Sequence, residues 1–178
     1  MNETLKAFDE LLRNIGRCIT QWADIEEKLF EICVLALKAP RKQVAIVYYK
    51  TPSLDARLTL LEELVGAFIP PRKSGEHSSQ IEKKWKNLTL RIKKLLPERN
   101  ALAHFPIKEI FVPTNNPNGP PTKSKLSIRP HRNERLRGRK ISVEKMEPED
   151  LPRHLAEAQE LEMNLRVFLS DLRQELHV

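Results

Sequence analysis

The chain has 178 residues, with 31 Lys and Arg against 24 Asp and Glu, and carries a formal net charge of +7. At 40% apolar residues it can bury a core without staples and is too hydrophobic for wholesale disorder. Its longest apolar runs, Ile32–Leu37 and Val44–Tyr49, are six residues each, which excludes a membrane span, and two cysteines exclude a disulfide framework or an all-cysteine zinc site. The start, Met1-Asn2-Glu3-Thr4, has no basic stretch followed by an apolar one. No secretory signal is expected there, and the expected location is the reducing cytoplasm.

None of the 13 prolines falls in residues 1–39 or 153–178, and eight fall between Pro106 and Pro152. Proline is excluded from helix interiors, so two long terminal helices should flank an irregular region. The first helix is predicted from Glu3 to Lys38. Its apolar positions Leu5, Phe8, Leu12, Ile15, Ile19, Trp22, Leu29, Cys33 and Ala36 alternate spacings of three and four, one continuous stripe. Cys18 and Cys33 would lie roughly 22 Å apart along it, too far to bridge. Ala39-Pro40 ends the helix. Gln43–Tyr49 reads as a short helix. Thr51-Pro52-Ser53 is a hydroxyl and proline start for a third helix, with the stripe Leu54, Leu58, Leu61, Val65 and Phe68.

Ser79-Gln80-Ile81-Glu82 matches a capping box and opens the stripe Trp85, Leu88, Ile92, Leu95, which runs on towards Leu102. Pro97 is expected to kink or restart that helix. Residues 106–147 form a basic, proline-rich insertion. Within it Ile107–Val112, Lys125–Ile128 and Lys140–Val143 are short and β-branched, and Asn115–Pro121 is dense in turn residues. The insertion also holds the charge excess. Lys123, Lys125, Arg129, Arg132, Arg135, Arg137, Arg139 and Lys140 oppose Glu134 alone, and the rest of the chain balances. Acids at 147–150 suit the start of a last helix, with the stripe Leu151, Leu155, Ala158, Leu161, Leu165, Phe168, Leu172 and Leu176. The fold expected is all-α: an up-and-down bundle of four to five helices, one domain over 1–178, with a small β-hairpin or irregular basic insertion before the last helix.

Three charges project onto apolar arcs: Glu26 between Trp22 and Leu29, Arg57 among Leu54, Leu61 and Leu64, and Arg99 midway between Trp85, Leu88, Ile92 and Leu95. An inward charge is costly unless paired, which predicts a shared polar network. That network is either a structural ion pair or part of an internal site. Arg99-Asn100-Ala101-Leu102-Ala103-His104 places Arg, Asn and His within one and a half turns. Arginine binds phosphate with a bidentate fork, and histidine, with an ordinary pKa near 6.5, exchanges protons with a 2′-hydroxyl or a leaving oxygen. Asparagine orients. The Arg-to-His spacing alone is weak, since Arg72 and His77 repeat it in a Gly/Ser loop; Asn directly after Arg makes it specific.

In Arg99-Asn100-x-x-x-His104 on a late helix the chain resembles the HEPN superfamily, small all-helical domains of toxins, defence systems and RNA-processing factors. Trp22…Glu26 and Ser53…Arg57-Leu58 are similar to patterns in several of its members. The likeness covers residues 3–105 and 150–176. It implies a metal-independent endoribonuclease without cofactors, acting in a cleft between two protomers and leaving a 2′,3′-cyclic phosphate and a 5′-hydroxyl. Arg99 would stabilise the transferring phosphate, His104 would be the general acid/base and Asn100 the orienting residue, with Glu26 and Arg57 as support. One toxin group carries tyrosine two residues after the histidine, where this chain has Pro106. The partners expected are RNA, a second copy, and a neutralising antitoxin or other acidic protein. Lys84, Arg91 and Lys94 on the motif helix, with the eight bases of 123–140, are the expected nucleic-acid contacts. The competing reading is a non-catalytic helical module for dimerisation or nucleic-acid binding.

Overall fold

The computed structural model describes residues 3–68, 77–111, 124–129 and 146–176. Among them are five α-helices, α1 (Glu3–Leu37), α2 (Arg41–Lys50), α3 (Leu54–Phe68), α4 (His77–His104) and α5 (Leu151–Glu175), and a two-stranded antiparallel hairpin, β1 (Ile107–Phe111) and β2 (Ser124–Ile128), before the last helix. The chain is all-α with a hairpin insertion, as the periodicities predict. It divides into two compact units, one of residues 1–20 and 95–157, the other of 21–94 and 158–178.

The second unit is a helical bundle. Its core is the expected stripes, Trp22, Leu29, Cys33 and Ala36 of α1, Leu58 and Leu61 of α3, Trp85, Leu88 and Ile92 of α4, and Leu161, Leu165 and Phe168 of α5, joined by Ile25 and Ile32 of α1, which the stripe did not include. Trp85 stacks on Phe168 with centroids 5.3 Å apart, joining α4 to α5. At the rim, Lys93 Nζ pairs with Glu62, Lys84 Nζ with Asp171, and Arg173 with Glu31, which ties α3 to α4, α4 to α5 and α5 to α1. Such half-exposed pairs fix which faces meet more than they add stability. The α2 helix turns its Val44 and Tyr48 inward. Its start follows from the end of α1, where Lys38 adopts a left-handed φ of 49° and donates its N–H to Val34 O. That conformation favours glycine. Lys38→Gly is expected to stabilise the fold by about 0.5–1 kcal/mol, read as a higher melting midpoint; a lower midpoint would contradict the cap. The helix α3 starts beside Thr51-Pro52-Ser53 as expected, but Pro52 lies before it rather than in its first turn, and the capping hydroxyl is Ser53, whose Oγ accepts the Ala56 N–H at 3.1 Å.

In the first unit, Leu11 and Cys18 of α1, Leu102 of α4, Ile128, Met146 and Leu151 form the core, with Ile15, Phe105, Ile107, Leu126 and Leu155 packed on it. The hairpin register pairs Ile107 with Ile128 and Glu109 with Leu126. Ile128 then exchanges both backbone hydrogen bonds with Met146, each 2.9 Å. Glu147 and Asp150 close a capping box over a 3₁₀ turn, Pro148–Asp150, that leads into α5.

One expectation is narrowed and another is corrected. The helix α4 runs on through Pro97 to His104 and is not restarted there. The lost N–H and ring clash cost about 3 kcal/mol, and burial of Leu95, Ala101 and Leu102 on either side holds the helix. In α1, Leu5, Phe8, Leu12 and Ile19 are exposed rather than core, and Leu11 and Cys18 point inward instead. The first five turns of α1 carry two apolar stripes that share Ile15, and the core takes only one. The expected strand 140–143 and the predicted cap Ser79 fall outside the residues whose side chains are described.

Candidate functional site

The motif lies in the first unit, on the last two turns of α4. Four residues apart, Asn100 and His104 share a face, and both are exposed. Arg99 is about 140° further round from His104, at 3.6 residues per turn, and is half-buried. Its Nη1 nevertheless reaches Asn100 Oδ1, at 3.3 Å. The guanidinium is therefore swung towards the face that carries His104. His104 is the last residue of α4, and the hairpin starts three residues on. The Arg129 N–H donates to Pro106 O at 3.2 Å, which fixes Arg129 two residues past the motif's histidine. Its Nε donates to Ser127 Oγ at 3.1 Å. Arg129 is thereby held level with Pro106, just past the end of the motif helix. Of the basic segment, Lys125 lies in β2 and Arg129 just beyond. Lys123, Arg132, Arg135, Arg137, Arg139 and Lys140 fall outside the described residues.

Directly before Arg99 stands a cluster that the sequence reading missed. Glu98 accepts from Arg153 Nη2 at 2.9 Å and lies 2.8 Å from Nδ1 of His154, which is fully buried. Arg153 also donates to Glu157 at 2.9 Å. A signal existed: His154 sits three residues after Leu151 and four before Ala158, on the core stripe. Its acid partner is 56 residues away and carries no local mark. Burial holds the His154 pKa below its ordinary 6.5, outweighing the hydrogen bond to Glu98 that raises it. The folded state therefore keeps a neutral ring that donates from Nδ1. The linkage sign follows from a depressed folded pKa. The His154 contribution is complete above 6.5 and is lost as the pH falls through the lowered folded value. Unfolding midpoints in urea should decline as the pH falls below 6.5, where ordinary carboxylates are still ionised. His154→Gln should flatten that decline; an equal slope in the variant would refute the assignment.

Glu26 and Arg57 meet in the second unit. Arg57 Nη1 donates to Glu26 Oε2 at 2.9 Å, and its Nε to Thr51 O at 3.2 Å. The guanidinium lies 5.2 Å from the Tyr48 ring centroid and 5.6 Å from that of Tyr49. The Tyr48 hydroxyl donates to Glu26 O, and burial pushes its pKa well up. Arg57 is the joint of α1, α2 and α3. Arg99, the third inward charge, belongs to the other unit.

Lys84 and Arg91 line a groove of about 250 Å³ along α4 and α5, with Asn87, Asn164 and Val167. Both cations are engaged, Lys84 by Asp171 at 2.7 Å and Arg91 by Glu160 at 3.0 Å; Lys94 is exposed. Cys18 and Cys33 are buried free thiols, each pushed up to about 11 by burial. Among the described residues no group of three or more His, Cys, Asp or Glu is placed to hold a metal, and no helix is long and apolar enough to cross a membrane. The chain matches no family model, no curated protein and no solved structure.

Proposed function

We propose that the chain is a HEPN-type endoribonuclease that cleaves RNA through the substrate's own 2′-hydroxyl, in the cytoplasm, in a toxin, defence or stress role. The observation that carries this reading is the turn of the Arg99 fork onto Asn100, beside an exposed His104 on the same helix end. In the reaction, a neutral His104 takes the 2′-hydroxyl proton as the oxygen attacks phosphorus. The P–O5′ bond breaks, and the protonated His104 of the second copy in the cleft gives a proton to the leaving 5′-oxygen. The products are a 2′,3′-cyclic phosphate and a 5′-hydroxyl. Arg99 offsets the charge that builds on the phosphoryl oxygens, and Asn100 orients either the fork or the phosphate.

Affinity comes from Arg129, held level with Pro106, and from the other bases of 123–140, by backbone contacts that weaken with salt. Within the second unit Lys84, Arg91 and Lys94 of α4 are further phosphate contacts, the first two by exchanging a carboxylate partner for phosphate. An acidic antitoxin would compete for the same cations. The test is purified protein with RNA in EDTA, wild type against His104→Ala. Equal cleavage by both, or none by either, would leave the non-catalytic module as the function.

A further inference from the structure

Glu98 is a charge on the inward face of a helix end. At 3.6 residues per turn it falls between Ala101 and Leu102, both buried, and in line with half-buried Phe105. Asn100 and His104 fall on the opposite side and are exposed. Both oxygens of Glu98 are engaged from α5. Arg153 Nη2 donates to one at 2.9 Å, and Nδ1 of the fully buried His154 lies 2.8 Å from the other. Glu157 holds Arg153 in turn, at 2.9 Å. All four residues belong to the first unit.

Pro97 stands directly before this clamp. It brings no N–H, so the Lys93 carbonyl loses the bond that residue 97 would give it, and the proline ring crowds the same carbonyl. Helices bend at such places. The α4 helix carries all three motif residues past this weak point, so the direction of its last two turns depends on what holds residues 98–104. Burial of Ala101 and Leu102 holds them in the core, but apolar burial is non-directional. Two charge-assisted contacts on one carboxylate fix an angle.

We propose that Glu98 is a positioning residue: clamped by Arg153 and His154, it sets the direction in which the last two turns of α4 leave Pro97, and with it the aim of Arg99, Asn100 and His104. The catalytic consequence rests on the nuclease reading, and the clamp itself does not. A purely stabilising role fits the cluster less well, since apolar side chains of the same volume serve a core as well as buried charges do. What apolar side chains do not supply is aim, and a misplacement of about 1 Å costs a reaction about a hundredfold. Nor does Glu98 serve RNA affinity, because a carboxylate beside a phosphate site opposes the anion.

The test takes the full chain through two measurements, amide hydrogen exchange and RNA cleavage in EDTA. Glu98→Gln keeps the shape and removes the charge and one acceptor oxygen. Exchange should rise about tenfold or more in residues 98–104 and keep the wild-type rate in residues 85–94. The kcat should fall about tenfold or more with KM unchanged or lower, a split that loss of an RNA contact would not give. Pro97→Ala returns the missing N–H, so in that background Glu98→Gln should cost less than about threefold in both measurements. If Glu98→Gln failed to fold, Arg153→Met, which opens the clamp from a half-exposed side chain, would take its place in both. Wild-type exchange in the variant, exchange raised equally along all of α4, or the same loss with and without Pro97 would each overturn the positioning role. A variant that cleaves like wild type would overturn it too, and keep the nuclease. A wild type that leaves RNA intact would overturn the nuclease, and hydrogen exchange alone would then decide the clamp.

Discussion

His104→Ala is expected to lower RNA cleavage by two to four orders of magnitude, the range that a general acid/base supplies. His104 is exposed at the end of α4, outside the apolar core of its unit, so the variant should melt at the wild-type temperature. Loss of rate with retained stability separates a chemical role from a structural one. Arg99→Lys should also lose most of the rate, because a single ammonium replaces a planar fork and cannot both hold Asn100 and span two phosphoryl oxygens. Asn100→Ala should lose less, since it removes orientation and keeps both charges. The products are diagnostic as well: wild type should leave 2′,3′-cyclic phosphate ends in EDTA. Cleavage that survives His104→Ala, or that leaves 3′-hydroxyl ends, would remove the motif from the chemistry.

The largest effect on folding is expected from Glu26→Ala, about 3 kcal/mol of lost stability, the lower end for breaking a buried pair by removing one partner. The lower end applies because the two side chains are 16% and 20% exposed and some water reaches them. Arg57 would keep the Thr51 carbonyl and the faces of Tyr48 and Tyr49, and lose the charge that balances it. The double change Glu26→Ala with Arg57→Met should recover much of the loss, since a neutral chain of similar length needs no counter-charge. Urea unfolding measures both. An unchanged midpoint for Glu26→Ala would show that the pair contributes nothing to the joint of α1, α2 and α3.

Helix periods were readable because each core face repeats every three or four residues without a break, as in Leu54, Leu58, Leu61 and Val65. Glu26 and Arg57 were readable as charges that fall in phase with an apolar stripe, where a charge needs a partner. The first five turns of α1 were misread because two stripes fit one period equally well there, and sequence cannot say which one the rest of the chain covers. Of the two outcomes expected at Pro97, a kink or a restart, the restart does not occur, because burial on both sides outweighs the local rule. The Glu98–His154 contact was invisible, since only the fold brings α4 and α5 together at that point. Arg99, Asn100 and His104 were found as a string, and the turn of the guanidinium onto Asn100 is what the string lacked.

The paired bonds between Ile128 and Met146 give the basic segment a thermodynamic independence. The chain leaves at one residue of that pair and returns at the other, so the pair closes a ring whose closure cost depends only logarithmically on the number of residues inside; each doubling adds about 0.6 kcal/mol. The charge of the ring can therefore be lengthened, shortened or rewritten at little expense to the core below it. Changes of sequence between the two paired residues leave the Ile128–Met146 bonds in place.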